Sequence, residues 1–271
     1  MITVLVLLIM TLAYMVAAVL FTLSLYSPRF RSPALWLAGL GWLFNTLALG
    51  EQVLVLRRVP LINLYETALF LTWVSVLLYL ALARGRKVTV VGIFLLPVTA
   101  LMALVTLLLP RGAPGLPPLL QSPWLVFHAG TGLVAYGAFG LGFFLAGAYL
   151  LQEDQLRRKR FHTFYYRLPS LEALEQLSYR FNVLGFLSLS SSIIFGAIWA
   201  ERAWGAYWQW DPKQTWSLIT WLLYAGYLHG RNLAGWKGRR ANYVALLGFL
   251  TAVLNITMIP WLFRSAHIFP Y

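Results

Sequence analysis

Few residues in this chain can do chemistry. Among 271 residues there is no cysteine, and there are four histidines: His128, His162, His229 and His267. Without thiols, disulfides, thiolate metal sites and thiol catalysis are excluded. Indole, by contrast, is concentrated. Six of the twelve tryptophans, Trp199, Trp204, Trp208, Trp210, Trp216 and Trp221, fall within 23 residues, with Tyr207 among them and Asp211-Pro212 after Trp210. Trp and Tyr gather at membrane interfaces without any function. An interfacial belt would spread over every helix end, however, whereas this cluster sits at one. It reads as a bed for a large flat ligand, and a histidine on the same side would supply a metal ligand.

Which histidines share that side depends on the elements that carry them. The chain is 60% hydrophobic and 11% charged, with mean hydropathy +0.72, where soluble proteins carry about a quarter charged residues. Apolar runs near the ~20 residues needed to span a hydrocarbon core recur along it. Eight spans are predicted, at 2–26, 33–56, 61–83, 88–109, 123–152, 181–200, 214–235 and 241–263. The fold class is therefore an all-α integral membrane protein, one polytopic domain over 1–271, built as a single bundle of about eight transmembrane helices in a lipid bilayer. The first span lacks a basic leader and is too long for a signal-peptide core, so it reads as an uncleaved helix.

The net charge of +13 suggests nucleic acid until the basic residues are placed. With the N-terminus outside, 15 of the 21 Lys and Arg fall in inside loops and 6 in outside ones. The positive-inside rule then puts both termini on the extracytoplasmic side. The excess is topological, and nucleic acid is excluded as a partner. The long inside loop, 153–180, carries an amphipathic pattern from Ser170 through Leu171, Leu174 and Leu177, expected as a short helix on the inner surface. Outside, the Pro- and Gly-rich run 110–123 is expected to be non-helical. In span five, Ala138, Gly142 and Ala146 form a small-residue stripe suited to close helix approach.

This topology sorts the histidines. His128, about a turn into span five, His267 in the tail, and the aromatic segment 201–216 all fall outside. His229 lies 18 residues past Asp211, near the inner boundary, where a titratable group is costly and usually functional; a backbone-bonded histidine near the interface is the rival reading. His162 falls in the basic inner loop. His128 alone is as readily a hydrogen-bonded core residue; the presence of His267 on its side brings a paired-ligand role level with that. A ligand suited to two imidazoles and an aromatic bed is haem, whose iron takes two axial nitrogens and whose faces indoles can bury. Its propionates want cations, and Arg57, Arg58, Arg202 and Lys213 are predicted on that side. Asp211 is expected to hold its loop by accepting backbone or indole hydrogen bonds, and Glu66 and Glu51 to brace that loop through Arg57, Arg58 or Arg202, packing roles by default. No side chain has the character of a general base.

The segment "WGAYWQWDPKQTWSLITWLLYAGYLHGR" closely resembles the WWD signature of membrane haem-handling proteins, in the form carried by the cytochrome c biogenesis family CcsA, also called ResC. "NLYETALFLTW", "LPSLEALEQLSYR" and the last histidine match as well, so the resemblance covers nearly the whole chain. It implies work with a membrane partner, CcsB or ResB, as the system II cytochrome c synthetase of the bacterial cytoplasmic membrane. Haem b (iron protoporphyrin IX) would be taken across and presented outside for thioether attachment to the Cys-X-X-Cys-His motif of an apocytochrome c. By this resemblance His128 and His267 are the outer axial ligands, flanking a bed of Trp204, Tyr207, Trp208, Trp210, Asp211, Trp216 and Trp221, and His229 is an inner ligand whose companion the partner supplies. The chain departs from the family around the last histidine, where Ser265-Ala266-His267-Ile268-Phe269 is bulkier than the usual pattern. Rival classes are the sister haem-handling branch of the other maturation pathway, a proton-coupled transporter of a non-haem solute, and an assembly scaffold.

Overall fold

The computed structural model describes residues 2–83, 89–111, 115, 117–161 and 163–257. The expectations for His162 and His267 fall outside these residues. Nine α-helices are present among those described: α1 (Ile2–Leu23), α2 (Arg31–Leu56), α3 (Leu64–Ala83), α4 (Thr89–Leu108), α5 (Pro123–Arg157), α6 (Thr163–Arg167), α7 (Leu171–Trp204), α8 (Pro212–Asn232) and α9 (Arg239–Thr257). Seven of them, α1 to α5, α7 and α9, are long and apolar enough to cross a membrane. The chain is an all-α integral membrane protein. Helix α8, expected as a span, is long enough at 21 residues, but Lys213, Gln214, His229 and Arg231 dilute its hydropathy.

The helices fall into two compact units. The first comprises Met1–Gly115 and Leu151–Leu174. In it α1 packs against α2 and α4, and α3 against α2 and α4. Tyr14, Phe21 and Tyr79 are fully buried, and Gly41 leaves room for the Tyr14 ring. Trp73 stacks on Trp42 at 5.7 Å and donates its indole N–H to Thr46 Oγ1 at 2.8 Å. The turn between α2 and α3 is closed by charge. Asn63 caps α3 by accepting the Glu66 N–H at 2.8 Å, and Glu66 reaches back to accept from Asn63 Nδ2 at 3.2 Å, a variant of the capping box. The fully buried Glu66 carboxylate also takes both Arg58 Nη groups, at 2.8 and 2.7 Å, and the Ile62 N–H at 2.8 Å. The pair Glu66–Arg58 is therefore formed, but these partners of Glu66 all lie in the turn between α2 and α3 and not in the Asp211 loop it was expected to brace. Glu51 instead accepts from Thr3 Oγ1.

The second unit comprises Leu116–Leu150 and Glu175–Tyr271. Its core stacks Phe139 of α5 on Tyr224 of α8, centroids 3.7 Å apart and nearly parallel at 5°. Two glycines make room for these rings, Gly185 of α7 beside Phe139 and Gly248 of α9 beside Tyr224. The small-residue stripe works as its pattern implies. Ala138 and Ala146 are fully buried, and Gly142 comes close enough to α7 for its carbonyl to accept from Ser178 Oγ at 3.1 Å.

A further expectation differs. The amphipathic stretch of 170–180 is not a separate surface helix; it forms the opening turns of α7, which runs unbroken for 34 residues. No proline falls between Leu171 and Trp204, and buried anchors such as Leu174, Ser178 and Asn182 tie those turns into helix packing. At 1.5 Å per residue such a helix is about 51 Å long, longer than the ~30 Å of a hydrocarbon core. The run 110–123 contains, among its described residues, a short 3-10 turn at Pro118–Gln121.

Candidate functional site

The aromatic segment is shaped by caps and turns at its two ends. Helix α7 stops at Trp204, and Gly205 turns the chain with φ 74. Trp210 also adopts a left-handed conformation, φ 55, which costs a non-glycine residue about 1–3 kcal/mol. The flanking contacts hold it there. Asp211 Oδ1 accepts the Lys213 N–H at 2.9 Å as N-cap of α8, with Pro212 at the first helical position, a favoured start. Gln214 Oε1 accepts the Gln209 N–H at 2.9 Å, and Thr215 Oγ1 donates to the Asp211 carbonyl at 3.1 Å. Asp211 thus bonds to backbone, the role its position suggested.

Between this loop and the helices lies a groove with about 400 Å³ of space, partly open, lined by His128, Ile193, Gly196, Ala197, Tyr207, Trp208, Lys213, Gln214 and Ser217. His128 is fixed from α7. Its Nδ1 lies 2.8 Å from the Ser192 carbonyl, while Ser192 Oγ donates to the His128 carbonyl at 2.8 Å. A carbonyl accepts only, so Nδ1 carries the proton and the ring's lone pair resides on Nε2, the arrangement by which a second contact sets the tautomer of a metal-binding imidazole. Gly196 lets the ring lie this close to α7: a Cβ there would stand 2.6 Å from Nδ1.

The indoles do not form a coplanar sheet. Trp208 and Trp210 meet edge to face, centroids 5.8 Å apart at 85°, and Trp199 and Trp204 at 4.9 Å and 68°. Trp208 lines the groove, with its indole nitrogen buried and without a hydrogen-bond partner among the described residues. Tyr207 lines it too and is 61% exposed, while Trp210, 69% exposed, turns outward. Trp199 is buried and donates to the Leu119 carbonyl at 3.1 Å. Trp221 packs against the core of the unit and donates to Ser190 Oγ at 2.8 Å. Trp204 and Trp216 are half-buried outside the lining.

The expected cations separate as well. Lys213 lines the groove, half-buried; burial lowers its pKa below the usual lysine value, and the Asp211 carboxylate opposes that shift. Arg202 places its guanidinium 5.5 Å from the centre of the Trp124 ring. Arg58 is held by Glu66 in the first unit, and Arg57 ends α2 in a left-handed conformation, φ 56. His229 is exposed in the last turn of α8, sixteen residues and so roughly 24 Å from Lys213 along the helix. Close to it in sequence, Arg231 donates to Glu175 Oε1 at 2.7 Å, and the same oxygen accepts the Gly238 N–H at 2.9 Å.

Ser192, Gly196, Ala197, Gln214 and Ser217 were not singled out from the sequence. A signal was present in the run Ser190-Ser191-Ser192 within an apolar helix and in Gly196 four residues on, since positions four apart share a helix face. The groove presents the His128 ring, the Trp208 indole and the Lys213 side chain to an occupant.

Residues 61–267 match the model of the cytochrome C assembly protein family. The cytochrome c biogenesis protein CcsA of Guillardia theta is 35% identical over 241 residues, 82% of this chain and 80% of that protein. CcsA of Synechococcus sp. (strain CC9902) is 39% identical over 216 residues, 70% of this chain and 71% of its own length. Among solved structures, the cytochrome c haem lyase CcmF superposes with a TM-score of 0.71 over 93% of this chain at 17% identity, and this chain spans 45% of CcmF. That likeness speaks for a shared fold. The chain belongs to the cytochrome c assembly protein family, in the company of the CcsA proteins.

Proposed function

We propose that this chain is the haem-handling subunit of a system II cytochrome c synthetase in the bacterial cytoplasmic membrane. The observation that carries the reading is the His128 imidazole: its Nδ1 is engaged by the Ser192 carbonyl, and its ring lines a groove walled by Trp208 and Tyr207. Haem is the cargo, moved across the bilayer and presented on the extracytoplasmic face. There His128 and His267 hold the iron from its two sides, Trp208 and Tyr207 cover the porphyrin, and Trp204, Trp210 and Trp216 complete the aromatic surroundings. Holding the vinyl edge toward the thiols of an apocytochrome Cys-X-X-Cys-His segment replaces a chance encounter with a held one. His229, exposed on α8, serves as an inner ligand, its companion coming from the CcsB/ResB partner.

The test is to purify the chain with its partner and record the visible spectrum and haem content. Replacing both His128 and His267 with Ala is expected to remove the outer haem and abolish holocytochrome formation. Haem content and maturation equal to the unaltered protein would refute the assignment.

A further inference from the structure

We propose that Lys213 and the indole N–H of Trp208 form a carboxylate-recognition subsite in the groove, so that this chain selects porphyrins with free acid side chains. The inference deepens the haem reading and rests on it. Of the nine described residues lining the groove, Lys213 is the one cation and no carboxylate is among them, the nearby Asp211 carboxylate acting on Lys213 from outside that lining. Trp208 contributes a buried donor that is unsatisfied among the described residues, and leaving such a group unpaired costs about 1–3 kcal/mol. Both features call for the same occupant, an anionic acceptor. An ammonium removed from water is likewise stabilised by an anion that meets it there, and burial already lowers the pKa of Lys213.

Two of the other cations weighed for this role, Arg202 and Arg58, have partners of their own. Arg202 lies over the Trp124 ring, and Arg58 gives both terminal nitrogens to Glu66. A ligand bound by His128 at its centre and by Lys213 at its edge would enter the groove in one orientation. That is the requirement for presenting a chosen edge of a nearly symmetric macrocycle.

The experiment titrates the purified full-length protein in detergent with haemin and with haemin dimethyl ester, which has the same ring and iron but no free acids, following the Soret band. The unaltered protein is expected to bind haemin roughly tenfold more tightly than the ester, the scale of one charge-assisted hydrogen bond. Lys213→Gln should erase that preference while leaving ester binding intact, which also reports that the groove is folded. Lys213→Arg, which keeps the charge, should retain the preference. Trp208→Phe should reduce it in part. An undiminished preference in Lys213→Gln overturns the Lys213 assignment alone, as does a lost preference in a Lys213→Arg protein that still binds ester. If the unaltered protein shifts the Soret band of neither porphyrin, the haem reading fails and this inference fails with it.

Discussion

Replacing Gly196 with Ala separates a site effect from a stability effect. In an ordinary helix interior this change stabilises by about 1 kcal/mol. Here the new Cβ would stand 2.6 Å from His128 Nδ1 and 2.9 Å from Cε1, against ordinary contacts from 3.4 Å, so the ring must retreat by about 0.8 Å. It cannot do so freely, because Nδ1 is bonded to the Ser192 carbonyl at 2.8 Å. Losing that bond and leaving its partners unpaired costs about 1–3 kcal/mol, so the helix gain and the lost bond largely cancel. Thermal unfolding in detergent should shift by only a few degrees. The imidazole, however, is displaced by nearly an ångström, and misplacement of that order costs roughly 10²-fold in rate. Holocytochrome formation by the complex, with bound haem read from the Soret band, should fall accordingly. Gly226→Ala is the control, since nothing lies within 4 Å of a Cβ there. A Gly196→Ala protein that binds haem and matures cytochrome as the control does would refute both the packing of this imidazole and its role.

The remaining predictions concern the supports around the groove and the turns. Asp211→Ala should destabilise the start of α8 by about 1 kcal/mol, with Asp211→Asn sparing most of it; unequal melting temperatures check this, and equal ones exclude the cap. Glu175→Ala strands Arg231 and the Gly238 N–H and should cost about 2–3 kcal/mol by chemical denaturation. Glu66→Ala should lower the melting temperature more than the double change Arg58→Ala/Glu66→Ala, because the single change leaves a guanidinium buried without its counter-charge, an imbalance worth about 3 kcal/mol. A double variant no better than the single one would show that the pair is not coupled.

The membrane helices were legible from hydropathy because crossing a bilayer is a property of consecutive residues; eight spans were read, and helices lie at all eight positions. The backbone-holding role of Asp211 was legible for the same reason, since its partner lies two residues away; Glu66 was expected to brace the Asp211 loop, and its partners lie in the turn between α2 and α3 instead. The end of the long loop was not legible. Nothing in 168–180 distinguishes a helix lying on a surface from the opening turns of a longer one; anchors such as Ser178 on Gly142, 36 residues away, decide it.

Residue types alone established a helical membrane protein with little titratable chemistry and an indole-rich turn. Only the tertiary structure decided which members of that turn do what. Trp208 faces the groove while Trp199 and Trp221 are drawn into the packing, and Lys213 meets the groove while Arg202 covers an indole. The tautomer of His128 is set by Ser192, 64 residues away. The physical reason is rotation: a helix places each side chain 100° from the last, so which residues share a cavity follows from how neighbouring helices are turned against each other. That turning is fixed by contacts such as the Phe139–Tyr224 stack and the glycines beside it.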